Sequence, residues 1–461
     1  MRTLDVLVIG GSAGALATAA LLGRRGMRGL LVEQGELGAP SSARREDWAP
    51  SDRKNPVLAR MHTELGLQDE LRRRLFPLNP GLRLVQGRLR DELEPTGAAA
   101  LARWSGLPEA QVVDLLSPLV EQAVTVSGLL DETGPLPPAG YFARRRFRAH
   151  LHGHSELTET RPELPTPLAS LLEAFASFFS ASAWPTEGLS VARAGRMAEL
   201  LLDGPHLPDG GRPLRAVLAE RAERAGFEIA HGLVESIEPD GRRFELRISG
   251  RREVVFVSAV VDASHGLLGL QALGHGAGHK RLGPLLDALR PAAHRARFRW
   301  SVDSEVLPEA LGRSALLLPS STDLAQGALG GRPYWLSTFA LEPDASSGRP
   351  RTLVELELSV SPAELQSGLQ ELERGPRTAL GEVAPFFERG HPIAHPARSQ
   401  PLLSPALEPE LQLGGIYPKP PIDRLIPSGP SVFPGCHPVE GGYLAAFDAA
   451  ERVSSALGTK R

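Results

Sequence analysis

Val6-Leu7-Val8-Ile9-Gly10-Gly11-Ser12-Ala13-Gly14-Ala15, continued by a small and apolar run to residue 22 and then by Gly29-Leu30-Leu31-Val32-Glu33, decides the fold of this chain. The first four residues are apolar without alternation, the pattern of a strand buried on both faces. Glycines end that run. Residues 15–22 read as a helix closed by Arg24-Arg25-Gly26, and residues 29–32 read as a second strand that ends in an acid. Strand, glycine turn, helix, strand, acid is the order of a dinucleotide-binding βαβ unit.

Each position in that unit has a physical task. Gly10 permits the sharp turn out of the strand. Ser12 stands where a second glycine normally lets backbone approach a pyrophosphate, and Ala15 stands at the third glycine position, where a small residue keeps helix and strand close. The helix start, Ala13-Gly14, aims N–H groups and a positive dipole end at the phosphates. Glu33 lies at the spacing of a residue that accepts a ribose hydroxyl. An acid there disfavours a 2′-phosphate, which leaves FAD and NAD open.

Bulk properties narrow the class. The chain has 461 residues, 42% of them hydrophobic, enough for two interleaved domains rather than one simple core. A net charge of −3 and a pI near 6.5 give no reason to expect a nucleic-acid partner. One cysteine, Cys436, excludes an intramolecular disulfide and a cysteine-rich metal site. Neither a signal peptide nor a transmembrane span is expected, and the simplest address is cytoplasmic. No metal site is expected. His150, His152 and His154 alternate as on a strand, but no acid or cysteine nearby completes a ligand set, so a solvated basic segment is the expectation.

The far end carries the second informative block, Ser431-Val432-Phe433-Pro434-Gly435-Cys436-His437-Pro438-Val439-Glu440-Gly441-Gly442. It reads as strand, then loop, with a small-residue helix from Tyr443 onward. Gly441 and Gly442 would offer bare backbone N–H groups to an anion or an electron-rich ring. His437 is the candidate catalytic residue, as proton carrier or hydrogen-bond donor. A third block runs Pro208-Asp209-Gly210-Gly211-Arg212-Pro213-Leu214, then Gly232-Leu233-Val234, then Val260-Val261-Asp262-Ala263.

In this order the three blocks resemble the FAD-dependent phytoene desaturase-like flavoproteins, a family grouped with the amine oxidases. The resemblance covers about a third of the chain. It implies FAD held by Gly10, Ser12, Ala13, Gly14, Ala15 and Glu33, with Val234 at the adenine and Gly435, Gly441 and Gly442 along the flavin. It implies an α/β fold: a Rossmann-like FAD-binding domain, with a parallel sheet covered by helices on both faces, interleaved with a substrate domain of antiparallel sheet plus helices. The FAD-binding domain is expected in three parts, 1–48, 201–268 and 411–461. A mainly helical cap takes 49–200 and the antiparallel-sheet substrate domain 269–410.

Within the cap, helical periodicity appears at 56–65 and 98–120, and most strongly at 168–179. That last run reads as a core helix, with a hydrophobic tunnel wall or a membrane contact as alternatives. Segments 295–302, 334–341 and 352–360 alternate as antiparallel strands do. The function expected is an FAD-dependent desaturase, saturase or isomerase on an apolar, polyene or lipid-like small molecule, with peripheral membrane contact open and oligomeric state unread. Two alternatives stand beside it: a flavin-dependent oxidase or dehydrogenase of a small polar substrate such as an amine, and a non-catalytic flavoprotein-like binding subunit.

Overall fold

The computed structural model describes residues 2–33, 52–74, 82–86, 89–92, 97–134, 138, 141–154, 157, 164–180, 183, 190–203, 208–264, 291–318, 332–343, 348–404, 406–408, 411, 413–415, 424–430, 432–433 and 437–458. Among these the element order begins β1 (Arg2–Ile9), α1 (Ala13–Arg24), β2 (Gly29–Glu33), α2 (Pro56–Leu65), α3 (Gln68–Arg74), β3 (Leu82–Gln86) and β4 (Leu89–Glu92). It continues with α4 (Ala98–Ser105), α5 (Glu109–Thr133), α6 (Tyr141–His152), α7 (Thr166–Phe179), α8 (Val191–Asp203), α9 (Pro208–Arg224), β5 (Phe227–His231), β6 (Val234–Asp240), β7 (Arg243–Ile248) and β8 (Val255–Asp262). Then come β9 (Pro291–Asp303), β10 (Ser314–Leu318), β11 (Tyr334–Ala340), β12 (Arg351–Val360), α10 (Pro362–Gln366), α11 (Leu369–Leu372) and α12 (Arg374–Val383). The last elements are β13 (Ile393–Leu403), β14 (Ala406–Glu408), β15 (Leu413–Gly415), β16 (Leu425–Pro427) and α13 (Pro438–Leu457).

The first sheet runs β5-β2-β1-β8-β7-β6. Strands β5, β2, β1 and β8 are parallel, and β7 and β6 close the edge as an antiparallel hairpin. The later half of β8 pairs with β16 instead, in parallel. The sheet is apolar on both faces. Val6, Val8, Leu31 and Val261 join α1, α9 and α13 in one core cluster, while Leu7, Ile9, Leu30 and Val260 belong to a second on the other face. Burial on both faces is why these strands read as continuous apolar runs.

The second sheet runs β13-β9-β12-β11-β10-β3-β4 and is antiparallel except where β3 meets β10 in parallel. One face, with Phe298, Trp300, Leu356 and Leu336, packs on α12. The other receives α7 and the helical cap at Trp335, Leu316 and Leu84. Three strands expected from alternation appear as β9, β11 and β12, and the expected helix at 56–65 is α2. The mixed α/β architecture with two sheets matches the expected fold class.

Some expectations need correction. The 98–120 stretch is two helices, because Gly106 adopts φ 71° and Pro108 starts the next one. Besides its helices, the 49–200 region contributes β3 and β4, which extend the second sheet. His150 and His152 lie on helix α6, not on a strand, because Phe147 and Leu151 anchor that segment at i, i+4 spacing. No cluster able to hold a metal ion occurs among the described residues. Val432 and Phe433 lie in a turn, and the strand falls earlier, at β16. Helix α7 is core, as expected, with Leu168, Leu171, Leu172, Phe175, Phe178 and Phe179 all buried. Helix α5 is long and apolar enough to cross a membrane by length and composition, and it packs against α8.

Candidate functional site

The carboxyl ends of β1, β8 and β16 meet at one point. Ala263 N–H donates to Ile9 O at 2.9 Å, and Ser428 N–H to Asp262 O at 2.7 Å. Gly10 sits there with φ 129°, and a Cβ on it would lie 2.7 Å from Ala263 O, so only glycine fits. Buried Asp262 holds the turn by accepting from Ser264 N–H at 3.1 Å and from Ser264 Oγ at 2.5 Å. This is the crevice where open parallel sheets bind ligands.

Gly11 and Glu33 are fitted to each other. A Cβ on Gly11 would fall inside the Glu33 carboxylate. Glu33 is therefore turned from the end of β2 back over the glycine turn, 3.5 Å from His231 Nδ1 on one side. The N–H of Gly232 donates to Glu33 O at 3.2 Å, which brings Val234, buried at the start of β6, to the same edge.

Ser12 is the N-cap of α1. Its Oγ accepts from Ala15 N–H at 3.2 Å, so the serine at the second glycine position takes up one donor of the helix end. Ala13 and Ala15 are fully buried in the first turn. Gly14 faces another helix: a Cβ on it would meet Gly442 Cα at 2.7 Å and Gly442 O at 2.8 Å. Two helix starts, those of α1 and α13, are thus held at backbone contact beside the sheet crevice, and their dipoles add at that end.

Helix α13 begins at Pro438, one turn earlier than the sequence suggested, and His437 is its N-cap. Gly441 N–H consequently donates to His437 O at 2.9 Å, which corrects the expectation of bare donors at Gly441 and Gly442. Gly441 lies inside the first turn, and Gly442 serves close helix packing. Gly435 and Cys436 lie outside the described residues.

His437 is 1% exposed. Its Nδ1 accepts from Val439 N–H at 3.2 Å, which places the proton of the neutral ring on Nε2. That Nε2 has no hydrogen-bond partner among the described residues. Burial, and then the nearby Arg196 charge, hold the ring well below its ordinary pKa of 6.5, so it is a neutral donor near pH 7. The ring also lies on Phe179, centroids 5.4 Å apart, and Phe179 in turn touches Trp335 of the second sheet at 5.5 Å. Through these rings the two sheets meet at the start of α13.

Sequence reasoning missed the polar network under that first turn. Glu440 Oε1 accepts from Asn55 Nδ2 at 2.9 Å and from Ser127 Oγ, and Arg196 Nη2 lies 3.5 Å away. Arg196 also pairs with Glu199 and donates to Ala123 O at 3.3 Å. Arg196, Ser127, Asn55 and Glu440 are fully buried, tying α2, α5 and α8 to α13. The available signal was Arg193, Arg196 and Glu199 at three-residue spacing on an otherwise apolar helix.

No protein-family model matches the chain, and no curated protein matches it by sequence. Solved structures do match in fold. An oxidoreductase from Methanosarcina mazei aligns over 98% of this chain and 100% of its own, with a TM-score of 0.51 and 13% identity. Cyclohexylamine oxidase from Brevibacterium oxydans aligns over 99% of both chains at 15% identity and TM-score 0.48. A flavoprotein/dehydrogenase from Cytophaga hutchinsonii aligns over 99% of this chain and 80% of its own at 13% identity and TM-score 0.43. The chain has a two-sheet α/β fold, shared over 98% of its length with the Methanosarcina oxidoreductase.

Proposed function

We propose that this chain is an FAD-dependent oxidoreductase acting on a small molecule. The observation that carries the reading is the convergence at one crevice of the Gly10–Gly11 turn, the Glu33 carboxylate and the starts of α1 and α13. These residues fit the cofactor. Glu33 suits a ribose hydroxyl, the α1 start suits a pyrophosphate, and the buried Nε2–H of His437 has no acceptor among the described residues. The name of the structurally similar oxidoreductase from Methanosarcina mazei supports the same class.

When bound, FAD supplies the two-electron redox chemistry. The chain's own residues orient it and exclude water. The network of Arg196, Glu440, Asn55 and Ser127 fixes the first turn of α13, and the neutral His437 presents one fixed donor at that turn. It holds its proton rather than exchanging it, because both burial and Arg196 oppose a charged ring.

The narrower reading, a desaturase, saturase or isomerase of an apolar substrate, rests on the sequence blocks alone. Beyond Trp335, the sheet face toward α7 carries charges that are already partnered: Arg297 Nε lies 2.9 Å from Glu357 Oε1, and Arg295 Nη2 donates to Ser180 O at 2.8 Å. They do not separate this reading from an oxidase or dehydrogenase of a small polar molecule.

The test is the visible spectrum of the purified protein, with and without added FAD. Flavin bands that bleach on reduction and return on adding an electron acceptor support the enzyme. A protein that stays colourless after incubation with FAD overturns both enzyme readings. One that binds FAD but never bleaches supports the binding-subunit alternative.

A further inference from the structure

Helix α6 has two unlike faces. Phe147 and Leu151 are buried, one turn apart, and fix the helix to the cap. At 100° per residue, Phe142, Arg145, Arg146, Ala149 and His152 project from the opposite face, with Tyr141 and Arg148 on one flank. All of these are exposed. Tyr141 and Phe142 are 72% and 75% exposed, the largest values among the exposed large apolar side chains of the described residues, and their rings pack edge to face at 5.5 Å. The helix contains four arginines and no acid, within a chain whose net charge is −3.

We propose that α6 is a docking surface for an anionic lipid membrane, with Tyr141 and Phe142 entering the interface and Arg145, Arg146 and Arg148 facing the headgroups. Two adjacent exposed aromatics at a helix start place apolar area where it gains by leaving water. Arginines on both sides supply charge complementary to anionic headgroups, and aromatic rings with a polar tip favour the headgroup level. The helix is anchored by its own buried face, so it presents this surface without refolding. The inference is independent of which cofactor the crevice holds.

Sedimentation with vesicles tests it. Binding to phosphatidylcholine/phosphatidylserine vesicles is expected to exceed binding to pure phosphatidylcholine by about 100-fold at low salt, from three arginines near the surface. It should weaken as salt is raised. R145E combined with R146E should abolish the difference between the two vesicles, and Y141S combined with F142S should weaken binding to both. All four positions are exposed, so circular dichroism and thermal midpoint should not move. The proposal is overturned by no binding to mixed vesicles, by binding that survives R145E/R146E, or by equal affinity for duplex DNA. Self-association in size-exclusion chromatography that vanishes with Y141S/F142S would assign the surface to a second copy of the chain and overturn it as well.

Discussion

Gly14 and Gly442 stand backbone to backbone: a Cβ on Gly14 would lie 2.7 Å from Gly442 Cα, inside any carbon contact. The contact sets how closely α1 and α13 approach beside the sheet crevice.

Gly14→Ala is accordingly expected to force the two helices apart, at about 1–3 kcal/mol of stability, and to reduce FAD uptake with it. Gly381→Ala, on α12 with open space around it, is the control and is expected to gain up to about 1 kcal/mol. Urea midpoints of the two variants, moving in opposite directions, check the relationship.

Glu33→Ala should leave the fold intact, because the carboxylate is partly exposed and ends a strand. Loss of a charged hydrogen-bond acceptor for the ribose is expected to weaken FAD binding about 10–100-fold. Titration of the apoprotein with FAD, followed by flavin fluorescence, measures it. Unchanged affinity would remove Glu33 from the cofactor site.

Arg196→Met leaves Glu199 and Glu440 buried without their cation. The expected loss is about 3–5 kcal/mol, the scale for breaking a buried pair from one side. Arg196→Met combined with Glu199→Gln should recover part of it, since one uncompensated charge is then gone. Denaturant unfolding of both variants distinguishes charge from packing.

His437 gives the fold an acid sensitivity. Its folded pKa is depressed below 6.5, so its contribution is complete above that pH and declines as the unfolded ring takes up a proton that the folded ring refuses. Stability should therefore fall below pH 6.5 by up to about 1.4 kcal/mol per pH unit, until the folded ring itself titrates. His437→Asn keeps a capping oxygen and should flatten that slope. Identical slopes for the two proteins would be incompatible with a buried neutral ring.

Glu364 acts at lower pH. The backbone N–H of Ser361 and the Arg332 guanidinium hold its carboxyl down at about 2, against an ordinary 4.5. The folded pKa is lowered, so the contribution is present above about 4.5 and lost as pH falls toward about 2. Glu364→Gln should reduce the dependence of the thermal midpoint on pH within that window. Ser361→Ala should cost about 1 kcal/mol at neutral pH, through the lost cap of α10.

What the sequence made legible follows from how local each signal is. The β1–α1–β2 unit was readable because its turn, helix start and acid lie within about thirty residues, a span in which pattern and spacing carry the geometry. Strands β9, β11 and β12 were readable because one face of each is apolar. The histidines of α6 misled because a spacing of two mimics a strand, whereas Phe147 and Leu151 set the true period. The start of α13 was misplaced because His437-Pro438 looks like loop, although proline at the first helical position is favoured there. The Arg196–Glu440 network was out of reach, since Asn55, Ser127, Arg196 and Glu440 come from four distant segments and each alone looks like an ordinary polar residue.

The parallel pairings have a consequence for assembly. Strand β1 meets β2 at once, but its other edge waits for β8, roughly 250 residues later, and β3 waits about as long for β10. During synthesis the early βαβ fragment must therefore carry an open apolar edge until β8 arrives. Such edges invite pairing with the wrong strand or with another chain. Refolding from denaturant is expected to be slow and concentration-dependent, and a chaperone that shields that edge should raise the yield more than one that only binds loops.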